Sequence, residues 1–174
     1  MGKYVLTGGA TGIGAAIKRQ LLGQGHDIVV IDLKDGDYLA DLGDPAVRKA
    51  VIDQVKADHP SIDGLITCAG VASQFPNPAK ILQINYFGTV EIIEGLSENI
   101  VSGGRVVAIS SNSAPMSTRP DLTDACLAVM RAPLSAWPVT FMAMSVTPAV
   151  RALWLGICDE KPPNLRDKVS PSTP

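Results

Sequence analysis

Glycines and threonines are concentrated in a short segment between a strand pattern and a helix pattern. The segment reads Thr7-Gly8-Gly9-Ala10-Thr11-Gly12-Ile13-Gly14. A pyrophosphate needs a tight turn, a backbone that it can approach closely, and free amides at the positive end of a helix dipole. Gly8, Gly12 and Gly14 can supply these three features, so we predict that the segment binds the phosphates of a dinucleotide. A structural loop without a ligand is the alternative.

An aspartate follows this segment where a second predicted strand ends. Asp32 stands 18 positions after Gly14, where a carboxylate can accept hydrogen bonds from both ribose hydroxyls of NAD. It would repel a 2′-phosphate by roughly 1 to 4 kcal/mol at about 4 Å, and no basic residue stands at Thr11 or Leu33. We therefore predict NAD in preference to NADP as the cofactor, with a turn aspartate as the alternative.

Short β-branched runs alternate with longer helical patterns over the first 111 residues, as in β-α-β units around a parallel sheet. Strands are predicted at 3–7, 27–32, 38–41, 64–68 and 105–110, and helices at 12–22 and 79–99. Another helix is predicted from Asp44, a capping residue, and Pro45, which suits the first helical position. The fold class is α/β, a Rossmann-type doubly wound parallel sheet that is incomplete at about five strands, with an irregular C-terminal tail.

Apolar residues recur along the first predicted helix at intervals of four. Ile13, Ile17 and Leu21 share one helical face, which is typical of an amphipathic helix.

The glycine segment, with its spacing Gly-x3-Gly-x-Gly and its preceding threonine, resembles the pattern of the short-chain dehydrogenase/reductase family. The phrases at 11–16, 40–42, 63–65, 68–70 and 85–88 look closest to its hydroxysteroid dehydrogenase/carbonyl reductase branch. The resemblance covers residues 1 to about 128. It implies an oxidoreductase that transfers a hydride between the dinucleotide and an alcohol or carbonyl compound.

The resemblance also implies roles for particular residues. Asp41 and Leu42 match the pair that contacts adenine, and Cys68, Ala69 and Gly70 occupy the place of an Asn-Ala-Gly turn. Asn85 matches the asparagine that supports a proton-relay water, and Ser111 the catalytic serine that orients the substrate carbonyl. The residues assigned to the dinucleotide are Thr7, Gly8, Thr11, Gly12, Ile13, Gly14, Asp32, Asp41, Leu42, Cys68, Ala69 and Gly70.

Two further residues of the family's chemistry have no counterpart in this sequence. The family uses a tyrosine and, four positions later, a lysine that lowers the pKa of the phenol for proton transfer. The tyrosines Tyr4, Tyr38 and Tyr86 all precede Ser111, and the lysines after it are Lys161 and Lys168. We therefore expect impaired activity. The alternatives are a catalytically silent NAD-binding module, a truncated or frameshifted fragment, and a partner-binding or membrane-tethered protein.

The composition changes after about residue 119. Fifteen of the 16 glycines precede Pro120, whereas eight of the 13 prolines occupy the last 55 positions. This predicts an NAD-binding domain at 1–119 and an atypical tail at 120–174, which we expect from about residue 129 to result from a frameshift or truncation. Residues 132–150 carry no charge, but their three prolines make a membrane anchor the weaker interpretation.

Charge and cysteine content limit the other classes of function. A net charge of -2 without a basic run gives no reason to expect a nucleic acid partner. Three widely spaced cysteines fit neither a metal knuckle nor a secreted disulfide framework, so we expect a cytoplasmic protein without a metal site. Cys68 is predicted to be a small buried residue, and His26 and His59 surface residues. The expected partners are the dinucleotide and a small alcohol or carbonyl substrate, whose identity stays open. Whether the chain forms a homo-oligomer also stays open.

Overall fold

A computed structural model describes residues 1–109 of the 174-residue chain. In that part, five strands alternate with helices. The strands are β1 (Lys3–Thr7), β2 (Asp27–Asp32), β3 (Tyr38–Leu39), β4 (Ile62–Thr67) and β5 (Ile100–Ala108). The helices are α1 (Gly12–Gly23), α2 (Pro45–Asp58), α3 (Pro78–Leu82) and α4 (Gly88–Leu96), with a π-helical turn (Gln83–Phe87) before α4 and a 3-10 turn (Ser97–Asn99) after it.

All five strands are parallel and lie in the order β3-β2-β1-β4-β5. The chain therefore runs outward from β1 to β3 and then crosses back to place β4 on the other side of β1. This reversal separates the loops that follow β1 and β4, and it opens a crevice at the carboxyl ends of these two strands. The predicted doubly wound parallel sheet of about five strands is confirmed.

One face of the sheet is covered by α2 and α4. Val5, Leu65 and Val106, on three different strands, belong to the same buried cluster as Val51 of α2 and Ile92 of α4. Side chains alternate between the two faces of a strand, so the neighbouring residues of β1 and β4 face the opposite layer, where α1 packs on β1 and β2.

The apolar residues that share one face of α1 differ in their burial. Ile13 is 63% exposed, whereas Ile17 and Leu21 are half-buried. Ile13 lies in the first turn of α1, beyond the end of the sheet, and it lines the crevice at the carboxyl edge. The periodicity located the helix correctly but does not separate a residue that packs on the sheet from one that borders a cavity.

The strand bounds differ from the predicted ones at several ends. The fifth strand begins at Ile100, five residues before the predicted start, and β4 begins at Ile62. Glycines 103 and 104 hid this early start from the β-branched pattern, and the pairing of β4 with β5 is irregular between Ile62 and Gly64. The third strand ends at Leu39, because the chain turns away from β2 after Ala40 N donates to the Asp32 carbonyl.

The predicted long helix at 79–99 is a continuous run of helical turns at 78–99. Asn77 caps its start by accepting a hydrogen bond from Lys80 N. The wider turn at its centre contains Asn85, whose carbonyl accepts a hydrogen bond from Thr89 Oγ1 at 2.8 Å. The predicted domain boundary and the predicted features of the tail lie outside the described residues.

Candidate functional site

The crevice between β1 and β4 is a cavity of about 660 Å³ at the carboxyl edge of the sheet. Small-molecule sites commonly have volumes of this size. Eleven of the twelve residues predicted to bind a dinucleotide line it: Gly8, Thr11, Gly12, Ile13, Gly14, Asp32, Asp41, Leu42, Cys68, Ala69 and Gly70. Residues from four separate loops are thus brought to one place.

The glycine turn requires two glycines for different steric reasons. Gly8 has a φ of +73°, and a Cβ there would lie 2.6 Å from the Ala69 backbone nitrogen. A Cβ on Gly14 would collide with the Gly8 carbonyl oxygen. The turn can therefore fold tightly only without side chains at these positions, which leaves its backbone open to the cavity.

The N-terminus of α1 faces this cavity without a side-chain cap. Asp44 and Asn77 cap α2 and α3, but Thr11 makes no capping hydrogen bond to α1. The first helical hydrogen bond joins Ala15 N to the Thr11 carbonyl, so the amides before it have no helical acceptor. With no acidic residue in its first turn, α1 presents the positive end of its dipole to the cavity.

Asp32 is held in place by the loops on both sides of it. Its Oδ2 accepts a hydrogen bond from Ala10 N at 3.0 Å, and its Oδ1 accepts one from Lys34 N at 3.1 Å. The half-buried carboxylate thus joins the glycine turn to the end of β2. Each oxygen has a further lone pair that is able to accept a hydrogen bond.

The Asp41 carboxylate at the other side of the cavity is paired with a lysine. Lys80 Nζ lies 2.8 Å from Asp41 Oδ2, and Gly43 N donates to Asp41 Oδ1 at 2.8 Å. The hydrogen bond from Lys80, opposed by partial burial, holds the pKa of Asp41 below its ordinary value. Leu42, next in the chain, is buried and supplies an apolar wall.

Thr7 lies beneath the cavity and is absent from its lining. Its side chain is 1% exposed, and its Oγ1 accepts hydrogen bonds from the backbone nitrogens of Cys68 and Ala69, both at 3.1 Å. Thr7 therefore fixes the turn after β4. Cys68 is half-buried and borders the cavity. Burial raises the pKa of its thiol, so the thiol stays protonated at neutral pH.

Asn85 uses both ends of its side-chain amide to hold the same turn. Its Oδ1 accepts from Val71 N at 2.8 Å, and its Nδ2 donates to the Val71 carbonyl at 2.9 Å. The paired bonds fix the loop that follows β4, on the side of the cavity lined by Ile84. Ser111, the predicted catalytic serine, lies outside the described residues.

Several cavity residues were missed by sequence analysis. They are Ala10, Ile31, Leu33, Lys34, Asp35, Ala40, Val71, Ile84 and Ile109. Most are apolar or small, and nothing distinguishes them in the sequence from residues of the core. Lys34 and Asp35 stand two and three positions after Asp32, and their charges were the available signal.

The two histidines are not the free surface residues that were predicted. His26 Nδ1 accepts a hydrogen bond from Gly2 N at 3.0 Å, and the ring packs edge-on against Tyr4. His59 Nε2 lies 3.3 Å from the Tyr38 hydroxyl. Both are half-buried. Within residues 1–109 no three metal-binding side chains meet, and no helix is long and apolar enough to cross a membrane.

Comparison with known proteins agrees with this geometry. The family profile described as short chain dehydrogenase matches residues 3–120, which is more than half of the chain. The protein belongs to the short chain dehydrogenase family.

Individual relatives add detail. A 3-alpha-hydroxysteroid dehydrogenase/carbonyl reductase of Comamonas testosteroni is 36% identical over 114 residues, which are 65% of this chain and 44% of that protein. A coniferyl-alcohol dehydrogenase of a Pseudomonas species is 32% identical over 115 residues, with 63% and 44% covered. The matches thus span less than half the length of these two relatives.

A solved structure is similar as well. The 3-alpha-hydroxysteroid dehydrogenase of a Pseudomonas species, complexed with NADH, superposes with a TM-score of 0.78 at 27% identity. The superposition covers 97% of this chain and 69% of that one.

Proposed function

We propose that this protein binds NAD(H) in the crevice between β1 and β4 and is by descent an oxidoreductase for the CH–OH group of an alcohol or the corresponding carbonyl. The observation that carries the proposal is the uncapped N-terminus of α1 beside a turn that excludes side chains at Gly8 and Gly14. An open helix N-terminus with its dipole favours a pyrophosphate. The dinucleotide would supply the hydride acceptor.

The residues around this turn fit the rest of a dinucleotide. Asp32, oriented by the amides of Ala10 and Lys34, would receive the adenosine ribose hydroxyls. Asp41 and Leu42 would border the adenine, and the turn held by Asn85 would border the nicotinamide. The relatives, which include a hydroxysteroid and a coniferyl-alcohol dehydrogenase, support an alcohol or carbonyl substrate without selecting one.

NAD is proposed over NADP because of the Asp32 charge. The carboxylate would repel a 2′-phosphate, whereas Lys34 and Asp35, which also line the cavity, bring one charge of each sign. The net negative charge of the three side chains disfavours an additional phosphate.

Titration of the protein with NADH and NADPH, followed by nicotinamide fluorescence, tests this proposal. We expect NADH to bind more tightly, by about fivefold to several hundredfold for a repulsion of about 1 to 4 kcal/mol. Asp32→Asn should reduce the difference between the two cofactors. The matched control is Asp53→Asn, which removes the same charge from an exposed site on α2. Preferential binding of NADPH, or an equal effect of both variants, would contradict the role of Asp32.

The second candidate function is a dinucleotide-binding module without catalysis. It is favoured by the sequence, in which no tyrosine follows Ser111. Loss of general acid/base catalysis alone removes about 10² to 10⁴ in rate. Incubation with NAD and a panel of secondary alcohols separates the two candidates: binding without NADH formation supports the silent module, and turnover supports the enzyme.

A further inference from the structure

A buried arginine lies beneath the wall that would border the adenine. Arg48 of α2 is 0% exposed, and its Nη1 donates a 2.8 Å hydrogen bond to the Leu42 carbonyl. Leu42 lines the cavity. The guanidinium does not line the cavity itself, but it reaches the lining through its hydrogen bond to Leu42, and its charge also contributes to the lowered pKa of Asp41.

The same guanidinium is fixed by α4 and by the π-helical turn. Its Nε lies 2.7 Å from Glu91 Oε2 and its Nη2 lies 2.9 Å from Glu91 Oε1, which is a bidentate ion pair. Nη2 also donates to Gln83 Oε1 at 3.3 Å. The planar guanidinium can make these bonds together because its donors point in fixed directions. A lysine in its place would have one nitrogen for these four acceptor oxygens.

The loop that carries Leu42 has bonds within itself, an ion pair from Asp41 to Lys80 of α3, and the capping bonds of Asp44 to the start of α2. Gly43 N donates to the Asp41 side chain, and Asp44 N donates to the Asp41 carbonyl. Both bonds lie within the loop and therefore move with it. Gly88 at the start of α4 approaches so closely that a Cβ there would lie 3.2 Å from Leu42 Cβ. The Leu42 backbone itself is held against α2 and α4 by this close packing and by the Arg48 bond, while the ion pair of the neighbouring Asp41 joins the loop to α3.

We propose that Arg48 is a positioning residue for the adenine end of the cavity, holding the backbone of Leu42 against α2 and α4. This rests on the proposed binding of a dinucleotide. The buried ion pair of Arg48 and Glu91 then contributes to ligand affinity, in addition to joining α2 and α4.

Arg48→Lys tests the proposal, with ADP-ribose as the probe and isothermal titration calorimetry as the measurement. We expect its Kd to rise about tenfold, which corresponds to about 1.4 kcal/mol. The control is Leu96→Ala, which removes a buried side chain of α4 that does not line the cavity and lowers stability by leaving a void. It should leave the Kd within about twofold of the unaltered protein. An equal rise of Kd in both variants would mean that Arg48 acts only through global stability.

Hydrogen exchange of the ligand-free protein gives a second readout. We expect Arg48→Lys to increase the exchange rates of the Gly43 and Asp44 amides relative to the exchange rate of the Leu6 amide in the central strand. Leu96→Ala should leave this ratio of exchange rates unchanged. An unchanged ratio in Arg48→Lys overturns the proposal. If Arg48→Lys does not fold, Glu91→Gln, which removes the charge that anchors the guanidinium, is measured for both readouts with the same expectations. Failure of the unaltered protein to bind ADP-ribose would refute the proposed function, whereas the exchange ratio would still decide the role of Arg48.

Discussion

Two buried threonines lie side by side beneath the cavity, with opposite hydrogen-bonding states. Thr7 of β1 and Thr67 of β4 are partners in the sheet register and are 1% and 2% exposed. Thr7 Oγ1 accepts two backbone hydrogen bonds, whereas Thr67 Oγ1 has no partner among the residues that the structure describes. Replacement of each by valine, which is close to threonine in shape, should therefore change stability in opposite directions.

The expected magnitudes follow from these contacts. Thr7→Val leaves Ala69 N without its acceptor, while Cys68 N keeps a 3.2 Å bond to the Thr7 carbonyl. One unsatisfied buried donor lowers the free energy of unfolding by about 1 to 3 kcal/mol. Thr67→Val removes a buried hydroxyl that has no hydrogen-bond partner within residues 1–109, and this should raise the free energy of unfolding by about 1 kcal/mol.

Urea denaturation followed by circular dichroism measures both changes. We expect the two valine variants to differ by about 2 kcal/mol or more, and Thr7→Ser, which keeps the oxygen, to fall between Thr7→Val and the unaltered protein. Thr7→Val should also weaken NADH binding, since the turn that it releases borders the cavity. Equal destabilisation by the two valine substitutions would refute the reasoning, because loss of the hydroxyl group would then cost the same with and without its partners.

The remaining predictions concern two pKa values. Lys80→Met should raise the pKa of Asp41 toward 3.8, because the hydrogen bond from Lys80 is the largest cause of its lowering. The stabilisation by this pair is present above pH 3.8 and is lost as the pH falls through the lowered pKa; a carboxylate NMR titration that shows no upward shift in the variant would exclude the pairing. The pKa of Tyr38 is raised from 10.0 to about 12, first by burial and then by the hydrogen bond to Asp58, so its contribution to stability is present below pH 10 and is lost as the pH rises toward 12. Asp58→Asn should lower that pKa in an ultraviolet titration of tyrosinate, and an unchanged value would contradict the assigned hydrogen bond.

The fold was predictable from the sequence because its signals are local. The run before Gly8 and the run ending at Asp32 are buried parallel strands, and their hydrophobic patterns mark them without knowledge of their neighbours. The capped start of α2 at Asp44 was equally visible. The early start of β5 at Ile100 was not, because two glycines interrupt its pattern and only pairing with β4 keeps those residues in a strand.

The candidate site likewise contains features that the sequence predicts and features that it does not. The glycine turn and Asp32 act through short stretches of chain, so their spacing alone indicates a phosphate turn and a ribose acceptor. Arg48 acts on Glu91, 43 positions away, and Thr7 on Ala69, 62 positions away. No pattern within a single element marks Arg48, since an arginine on an amphipathic helix normally indicates an exposed face. The glycine segment marks Thr7, but not its bonds to the turn after β4.

The residues that support the cavity therefore include Arg48, which lies outside its motifs, as well as Thr7 and Asn85, which lie within them. A chain that kept Gly8, Gly14 and Asp32 but lost Arg48 would still match every motif, yet the Leu42 backbone would lose the hydrogen bond that joins it to α2. Because a bound ligand gains affinity from groups that are already in place, such a loss would lower affinity while leaving each presumed contact residue intact. On these two proposals, the motifs supply the contacts to a dinucleotide, and the buried contacts between α2, α4 and the loop at Leu42 contribute to its affinity by holding one of those contacts in place.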